Sequence, residues 1–304
     1  MKLQNNIPLG PFTTYRVGGP ADLFVVTKSR TELIEALVYA QQHKIPYFIL
    51  GLGANILVSD KGFRGLVIKN EYSDCRIEVD STNEPIKTYL LHTGSGATIQ
   101  SLIDVSKKYE LSGLEHFAGI PSTVGGALWQ NLHFLNPDRS GTFFIEEVVH
   151  HAAVLNMATG QEQIFYKKDF TFGYDTSILH QGNHVVIDAV FQLQKSTHET
   201  IVHQVQENLT WRNARHPSLD TYYSCGSVFK KVHDIAAAKL IDQCGLKGFQ
   251  YRGVQVSVKH PNFITHTGNA TATAIKYVIN HVQQVVFERT GIMLETEIQM
   301  IGEW

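Results

Sequence analysis

Gly119-Ile-Pro-Ser-Thr-Val-Gly-Gly-Ala-Leu-Trp-Gln-Asn131 is the stretch whose reading decides the fold. Pro121 fixes φ, and the pair Gly125-Gly126 admits backbone geometry closed to other residues, which predicts a tight turn. Small residues at Ser122, Thr123, Gly125, Gly126 and Ala127 leave room for something flat and large against the main chain. Charge is nearly absent from Leu111 through Leu132. A single glycine pair of this kind reads as packing. Company changes the reading, because similar charge-poor glycine turns stand at 17–21, 50–55 and 93–97.

Working outward, the turn Gly51-Leu-Gly53-Ala-Asn55 follows the apolar run Tyr47–Leu50 and precedes Ile56–Ser59. Gly51 and Gly53 satisfy the start of the dinucleotide-binding fingerprint, but Ile56 holds the third glycine position and a strand, not a helix, follows. That fingerprint therefore fails on sequence and on context. A glycine turn with free N–H groups can still cradle a pyrophosphate as an anion nest.

The rest of the chain reads as short strands, few helices and glycine turns, which is an α+β pattern. Ser29-Arg-Thr-Glu32 is a capping box for a helix ending near Lys44, before Pro46. Ile99, Leu102, Ile103 and Ser106 line a second helix behind Thr98. Leu132–Phe143 reads as loop, broken at Asn136-Pro137-Asp138. Strands are expected at Glu147–Asn156, Gln163–Tyr166 and His184–Leu193, and helices at about 200–215 and 236–244, the latter closed by Gly245. The longest helix is expected over 270–289, with Ile275, Val278, Ile279, Val282, Val285 and Val286 on one face and Gly291 as its stop. Met293–Ile301 alternates, which predicts a final strand with Glu295, Glu297 and Gln299 off the apolar face.

With 43% hydrophobic and 18% charged residues in 304, the chain can bury a sizeable core. A formal charge of −2 carries no polyanion-binding signature, so no nucleic-acid partner is expected. Cys75, Cys225 and Cys244 are odd in number and lack a C-x-x-C pair, which argues against a disulfide framework and a structural zinc. Adjacent residues on a strand face opposite ways, so His150 and His151 are not expected to share an ion, and no metal is expected. Neither a signal-peptide run nor the about 18–20 apolar residues of a membrane helix appears, so the chain reads as soluble and cytoplasmic, with no membrane partner.

Several of these segments, taken in order, resemble one family. They are Thr13-Thr-Tyr-Arg-Val-Gly-Gly-Pro-Ala21, Leu50-Gly-Leu-Gly-Ala-Asn55, Gly113-Leu-Glu-His-Phe-Ala-Gly-Ile-Pro121, Thr123-Val-Gly-Gly-Ala127, Gly226-Ser-Val-Phe-Lys230, Gly245-Leu-Lys-Gly248 and Leu294-Glu-Thr-Glu297. The chain is identified by them as similar to the UDP-N-acetylenolpyruvoylglucosamine reductase (UDP-N-acetylmuramate dehydrogenase) family, in its shorter form, over nearly its whole length. That resemblance implies a two-lobed FAD-binding region of the vanillyl-alcohol-oxidase (PCMH) type over 1–197, with lobes of about 1–70 and 71–197. A C-terminal α+β substrate-binding domain would follow over 198–304. FAD would be held by Gly51, Leu52, Gly53, Ala54, Asn55, Gly94, Ser95, Gly119, Ile120, Ser122, Thr123, Gly125 and Gly126. NADPH would reduce the flavin, which passes hydride to UDP-N-acetylglucosamine enolpyruvate. Ser227 stands at the proton-donor position, Glu297 matches the family's glutamate, and Tyr174, Lys230 and Lys231 would bind substrate. A monomer is expected.

The departures fall on the substrate side. Phe172-Gly-Tyr174 is followed by Asp175-Thr176-Ser177, so Asp175 stands where the resemblance expects a catalytic arginine. Reversing that charge beside a substrate carboxylate at about 4 Å and an effective dielectric near 20 is worth about 4 kcal/mol for each sign. Lys231 stands for an asparagine, Ser122 for a glycine, Leu132-His-Phe-Leu for Ala-Gly-Ala-Tyr, and His266 for an asparagine. Three readings stay open: a reductase in which Lys231, Arg139 or Arg215 replaces the lost cation, a paralogue that keeps FAD with another substrate or little activity, and a flavin-binding scaffold without turnover.

Overall fold

The computed structural model describes every residue except 81–86, 137–140 and 234, with Asp80 described by its backbone alone. Two compact units form. The first comprises Met1–Lys2, Val25–Gly51 and Ile68–Arg212, and the second Leu3–Phe24, Leu52–Val67 and Asn213–Trp304. Neither is a continuous stretch, and one crossing falls inside the glycine turn at 51–55.

In the first unit, helix α1 (Arg30–Gln42) starts at Ser29, whose hydroxyl accepts from Glu32 N–H. Glu32 returns its carboxylate to the N–H of Lys28, one residue before the position a capping box predicts. The unit's main sheet is antiparallel, in the order Glu162–Tyr166, Val149–Asn156, His184–Lys195, Thr88–Gly94, Cys75–Asp80. Alternation along His184–Lys195 sends Ile187, Ala189, Phe191 and Leu193 to full burial. Helix α2 (Ile99–Lys108), capped by Thr98, contributes to the core the four residues expected of it: Ile99, Leu102, Ile103 and Ser106. Helix α3 (Val124–Gln130) adds Val124, Ala127 and Leu128 to the same side.

Two expectations need correction here. Leu132–Phe143 is not simply a loop: His133–Leu135 pairs antiparallel with Thr142–Phe144, and the expected breaker residues Pro137 and Asp138 lie outside the described residues. His150 and His151 do not face apart either. A β-bulge between Val149 and His151 sets their Nδ1 atoms 2.7 Å apart, because the extra residue breaks strict alternation. Among the described residues no three metal-ligating side chains converge.

Helix α4 (His198–Arg215) packs with the first unit through Arg212. In the second unit, helix α5 (Ala237–Gln243) ends at Cys244 with Gly245 at φ +65°, a left-handed C-terminal stop. Helix α6 (Ala272–Thr290) buries Ile275, Val278, Ile279, Val282 and Val286 and stops at Gly291, with φ +71°. The expected final strand is shorter than its alternation suggests. Only Gln299–Ile301 is regular, running parallel to Ile56–Val58, because residues 295–297 pair with a different backbone, that of 228–230. Among the described residues no helix is long and apolar enough to cross a membrane.

Asp60 is a long-range cap for α6. Its carboxylate accepts from the N–H groups of Ala272 (2.9 Å) and Thr273 (2.8 Å) and from the Thr273 hydroxyl. A carboxylate there satisfies orphan donors and complements the positive end of the helix dipole. Asp60→Ala is expected to lower the unfolding free energy by about 1–2 kcal/mol, with Asp60→Asn losing less. Urea unfolding of the three proteins measures this, and equal midpoints would remove Asp60 as the cap.

Candidate functional site

In the first unit, the opening stretch is built on the turn before α2. Ile99 N–H donates to Ser122 O at 2.9 Å, Val124 N–H to Ala97 O at 2.8 Å, and Gly125 N–H to Ser95 O at 2.8 Å. Thr123 is the N-cap of α3, with its hydroxyl accepting from Gly126 N–H. Gly125-Gly126 is therefore not the turn its composition predicts. The threonine nucleates a short helix, and the positive φ belongs to Gly119, at +79°. Gly126 is exposed, as a backbone kept clear for a large flat group would be.

Gly51 and Gly94 are two of the positions where the backbone is closely approached. A Cβ on Gly51 would lie 2.5 Å from Thr123 Oγ1, and one on Gly94 2.6 Å from Tyr72 O. Lys69 Nζ donates to Gly51 O at 2.6 Å, and burial lowers the ionisation range of that ammonium. Several expected cofactor contacts are committed within the chain. Ser95 N–H donates to Ile187 O and its hydroxyl accepts from Asn70, while Gly94 N–H and Ile120 N–H donate to Asp74 O and Phe117 O. By contrast, among the described residues the N–H groups of Gly51, Leu52, Gly53, Ala54, Asn55, Gly119, Ser122 and Thr123 donate to no other group. Unfilled donors on glycine turns fit a phosphate or a carbonyl-rich ring.

Arg212 is a residue that sequence reasoning missed. Its guanidinium lies over the Phe134 ring at 5.5 Å, and Nε would be 3.3 Å from a Cβ on Gly119. Burial pushes its pKa down to about 10, and among the described residues no carboxylate pairs with it. On the polar helix α4 an arginine gives no signal beyond solvation. An unbalanced half-buried cation beside Gly119 fits an anionic group.

Asp175, at the expected arginine position, is not offered to solvent. It is 1% exposed, at φ +55°, and accepts from Gln130 Nε2 at 3.0 Å. Its neighbour Tyr174 is 37% exposed. Of the cations considered for the lost charge, Arg139 lies outside the described residues, and Lys231 and Arg215 are exposed.

In the second unit, two segments bring Ser227 and Glu297 onto adjacent backbones. Glu297 N–H donates to Val228 O at 2.8 Å, and Lys230 N–H to Glu295 O at 2.9 Å. Gly226, with φ +84°, turns the chain into Ser227, and Asn262 brackets Phe229 by accepting from its N–H and donating to its carbonyl. Both Ser227 and Glu297 are half-buried. Asn55 joins this group, since Gln299 N–H donates to its carbonyl at 3.0 Å. Lys230 is paired with Glu295 at 2.5 Å rather than left open.

Cys225, two residues before Ser227, is buried, and burial pushes its thiol up to about 12, with the nearby Glu297 charge adding to the rise. It stays protonated and is no nucleophile. His266, another departure, is buried and has both ring nitrogens engaged: Nδ1 accepts from Gly268 N–H at 3.1 Å, and Nε2 donates to Tyr15 O at 2.7 Å. That pattern fixes the neutral ring, and burial lowers its pKa. The unfolded chain, with an ordinary value of about 6.5, then binds the extra proton first. This contribution to stability is present above that value and is lost as pH falls below it. His266→Asn is expected to flatten the fall in unfolding free energy between about pH 7 and pH 5, read by urea titration at each pH.

A cleft of about 430 Å³ on the sheet face of the first unit, lined by Tyr72, Arg76, His92, His151 and Asp188, contains none of the residues expected from sequence.

Known proteins match both parts of the chain. A model for the C-terminal domain of UDP-N-acetylenolpyruvoylglucosamine reductase matches residues 217–301, and one for an FAD binding domain matches 21–165. The UDP-N-acetylenolpyruvoylglucosamine reductase of Caldanaerobacter subterraneus is 37% identical over 302 residues, covering 99% of this chain and 94% of that protein. The reductase of Lachnoclostridium phytofermentans is 35% identical, covering 98% and 92%. The crystal structure of the reductase from Thermus caldophilus has a TM-score of 0.79 at 27% identity and covers 99% of both chains. The chain belongs to the UDP-N-acetylenolpyruvoylglucosamine reductase family.

Proposed function

We propose that this protein is a cytoplasmic, monomeric flavoenzyme that uses NADPH to reduce UDP-N-acetylglucosamine enolpyruvate to UDP-N-acetylmuramate, a precursor of peptidoglycan. The observation that carries this reading is the interlock of 226–230 with 295–297, which sets Glu297 opposite Val228, the residue after Ser227. In this reading residues 1–197 serve the cofactor and 198–304 the substrate.

The residues fit FAD. In the first unit, free N–H groups at Gly51, Gly119, Ser122 and Thr123 suit its phosphates and ring carbonyls, and Arg212 supplies charge to match; in the second, the N–H groups of 52–55 are free as well. FAD held by these residues would supply the hydride chemistry that links NADPH to the enolpyruvyl double bond. The chain's own residues do the rest. Ser227 Oγ gives a proton to the carbon bearing the carboxylate, a task for which a serine needs nearby charge or a polar relay. Glu297 engages the enolpyruvyl group from the next backbone. Tyr174, Lys230 and Lys231 orient the UDP-sugar, with Lys230 first released from Glu295.

The burial of Asp175 favours a second reading, a paralogue that binds FAD and turns over the enolpyruvyl substrate slowly or not at all. Purified protein is expected to be yellow and to release FAD on denaturation; colourless protein that does not take up FAD would sink both readings. NADPH oxidation should rise at least about tenfold on adding the enolpyruvyl substrate. Oxidation without that stimulation supports the paralogue instead. Arg212→Met is expected to weaken FAD binding by about 10- to 100-fold, the loss of one charge-assisted contact, as read by flavin fluorescence on titration of the apoprotein.

A further inference from the structure

The β-bulge at His150 brings together two side chains that the proposed mechanism does not use. Val149 pairs with Phe191 and His151 with Val190, so the strand advances two residues against one step of its neighbour. At such a bulge strict alternation fails, and consecutive side chains fall on one face of the sheet. Both imidazoles do so: their Nδ1 atoms are 2.7 Å apart and their ring centroids 4.9 Å. Among the described residues this is the one hydrogen bond that either ring makes. The alternation that would keep His150 and His151 from sharing an ion is therefore absent.

The surroundings hold the pair in place and leave it tolerable to a cation. Both rings are half-buried, and Tyr166, opposite His151 on the edge strand, packs against them at 5.9 Å from His151 and 6.4 Å from His150. His151 also lines the cleft of about 430 Å³. Two carboxylates stand on the wall of that cleft, the exposed Asp74 and Asp188, which is paired with Arg30 at 2.8 Å. The positive charge of Arg76 is met by Glu78 at 2.8 Å, and His92 Nδ1 accepts from the same guanidinium at 3.1 Å.

We propose that His150 and His151 form a two-histidine chelate for a divalent transition ion of the Ni(II) or Cu(II) kind, with water in the remaining positions. A neutral imidazole carries its proton on one nitrogen, so in the ion-free pair one Nδ1 donates and the other accepts. With both protons on Nε2, the two Nδ1 lone pairs are directed into the same space. At a metal–nitrogen distance of about 2.1 Å, ligands at a right angle lie about 3.0 Å apart and tetrahedral ones about 3.4 Å. The observed spacing is nearer the right angle, which suits a square or six-coordinate ion and disfavours tetrahedral zinc. Imidazole is a fitting ligand for these borderline ions. Two ligands on adjacent residues also act as one chelate, because binding the first brings the second within reach.

The test uses the tag-free, full-length protein and Ni(II), at a pH about one unit above the ordinary imidazole value of about 6.5. Calorimetric titration compares wild type, His150→Gln and His151→Gln, with His203→Gln on α4 as a control for the other imidazoles of the chain. Each bulge substitution is expected to weaken the tightest site at least about tenfold and to a similar level, since a chelate needs both rings, while His203→Gln stays within about twofold. Ni(II) should raise the thermal midpoint of the wild type and leave that of the bulge variants unmoved. With Co(II) as a spectroscopic probe, the weak visible bands of a six-coordinate ion are expected, and they should be lost in both bulge variants. If one bulge variant proves unstable, the other carries the test. No Ni(II) binding by the wild type overturns the proposal. So does equal binding by the wild type and the bulge variants, which means an adventitious ion only, held by other histidines. Intense four-coordinate Co(II) bands overturn the right-angle geometry on which the choice of ion depends.

Discussion

Approach of glycine backbone to its neighbours, closer than any side chain would allow, is the constraint on which the glycine turns of the first unit depend. Gly51 rests on Thr123 and Gly94 on the carbonyl of Tyr72, at separations where a methyl group would be driven into its neighbour. Three backbone hydrogen bonds then join the turn at 95–99 to the one at 122–125. These contacts hold the amides of Gly119, Ser122 and Thr123 in fixed positions without using their N–H groups. A surface made this way presents donors and no charge, and Arg212 provides the balancing cation from a separate helix.

Much of this was legible in the sequence, where a local rule decides the outcome. Helix α2 follows from Thr98 and a 3.6-residue apolar period, and α6 from the same period and a glycine stop. Expectations failed where a distant partner decides. The alternation of Met293–Ile301 is real, since Leu294 and Ile298 are buried, but two different partners divide the segment and only its last three residues form a regular strand. The hairpin through His133–Leu135 depends on pairing across residues that read as a loop. Within 119–131, composition announced a special backbone but not its form, because Thr123 is strong enough as a cap to draw both glycines into a helix.

The site divides in the same way. The glycine turns stand out by residue type, whereas Ser227 and Glu297 read as a turn residue and a strand-edge charge and were singled out only by the family resemblance. Arg212 was invisible, since its place over the Phe134 ring and beside Gly119 is one that no spacing on α4 reveals. Asp175 was visible as an anomaly of sign, but its burial and its bond from Gln130, forty-five residues earlier, were not.

The interleaving of the second unit has a consequence for how the chain acquires its structure. Ile56–Val58 is made within the first fifth of the chain, yet its parallel partner is Gln299–Ile301, and the carboxylate that caps α6 is Asp60. During synthesis these early segments must wait with an unpaired strand edge and an uncapped acid until the last residues leave the ribosome. Contacts of such long sequence separation close slowly, and an open edge invites pairing with other chains meanwhile. The first unit, whose sheet is complete once residue 195 is made, has no such delay. Assembly is therefore ordered in time, with the sheet of the first unit complete before the backbone that carries Ser227 and Glu297 can close.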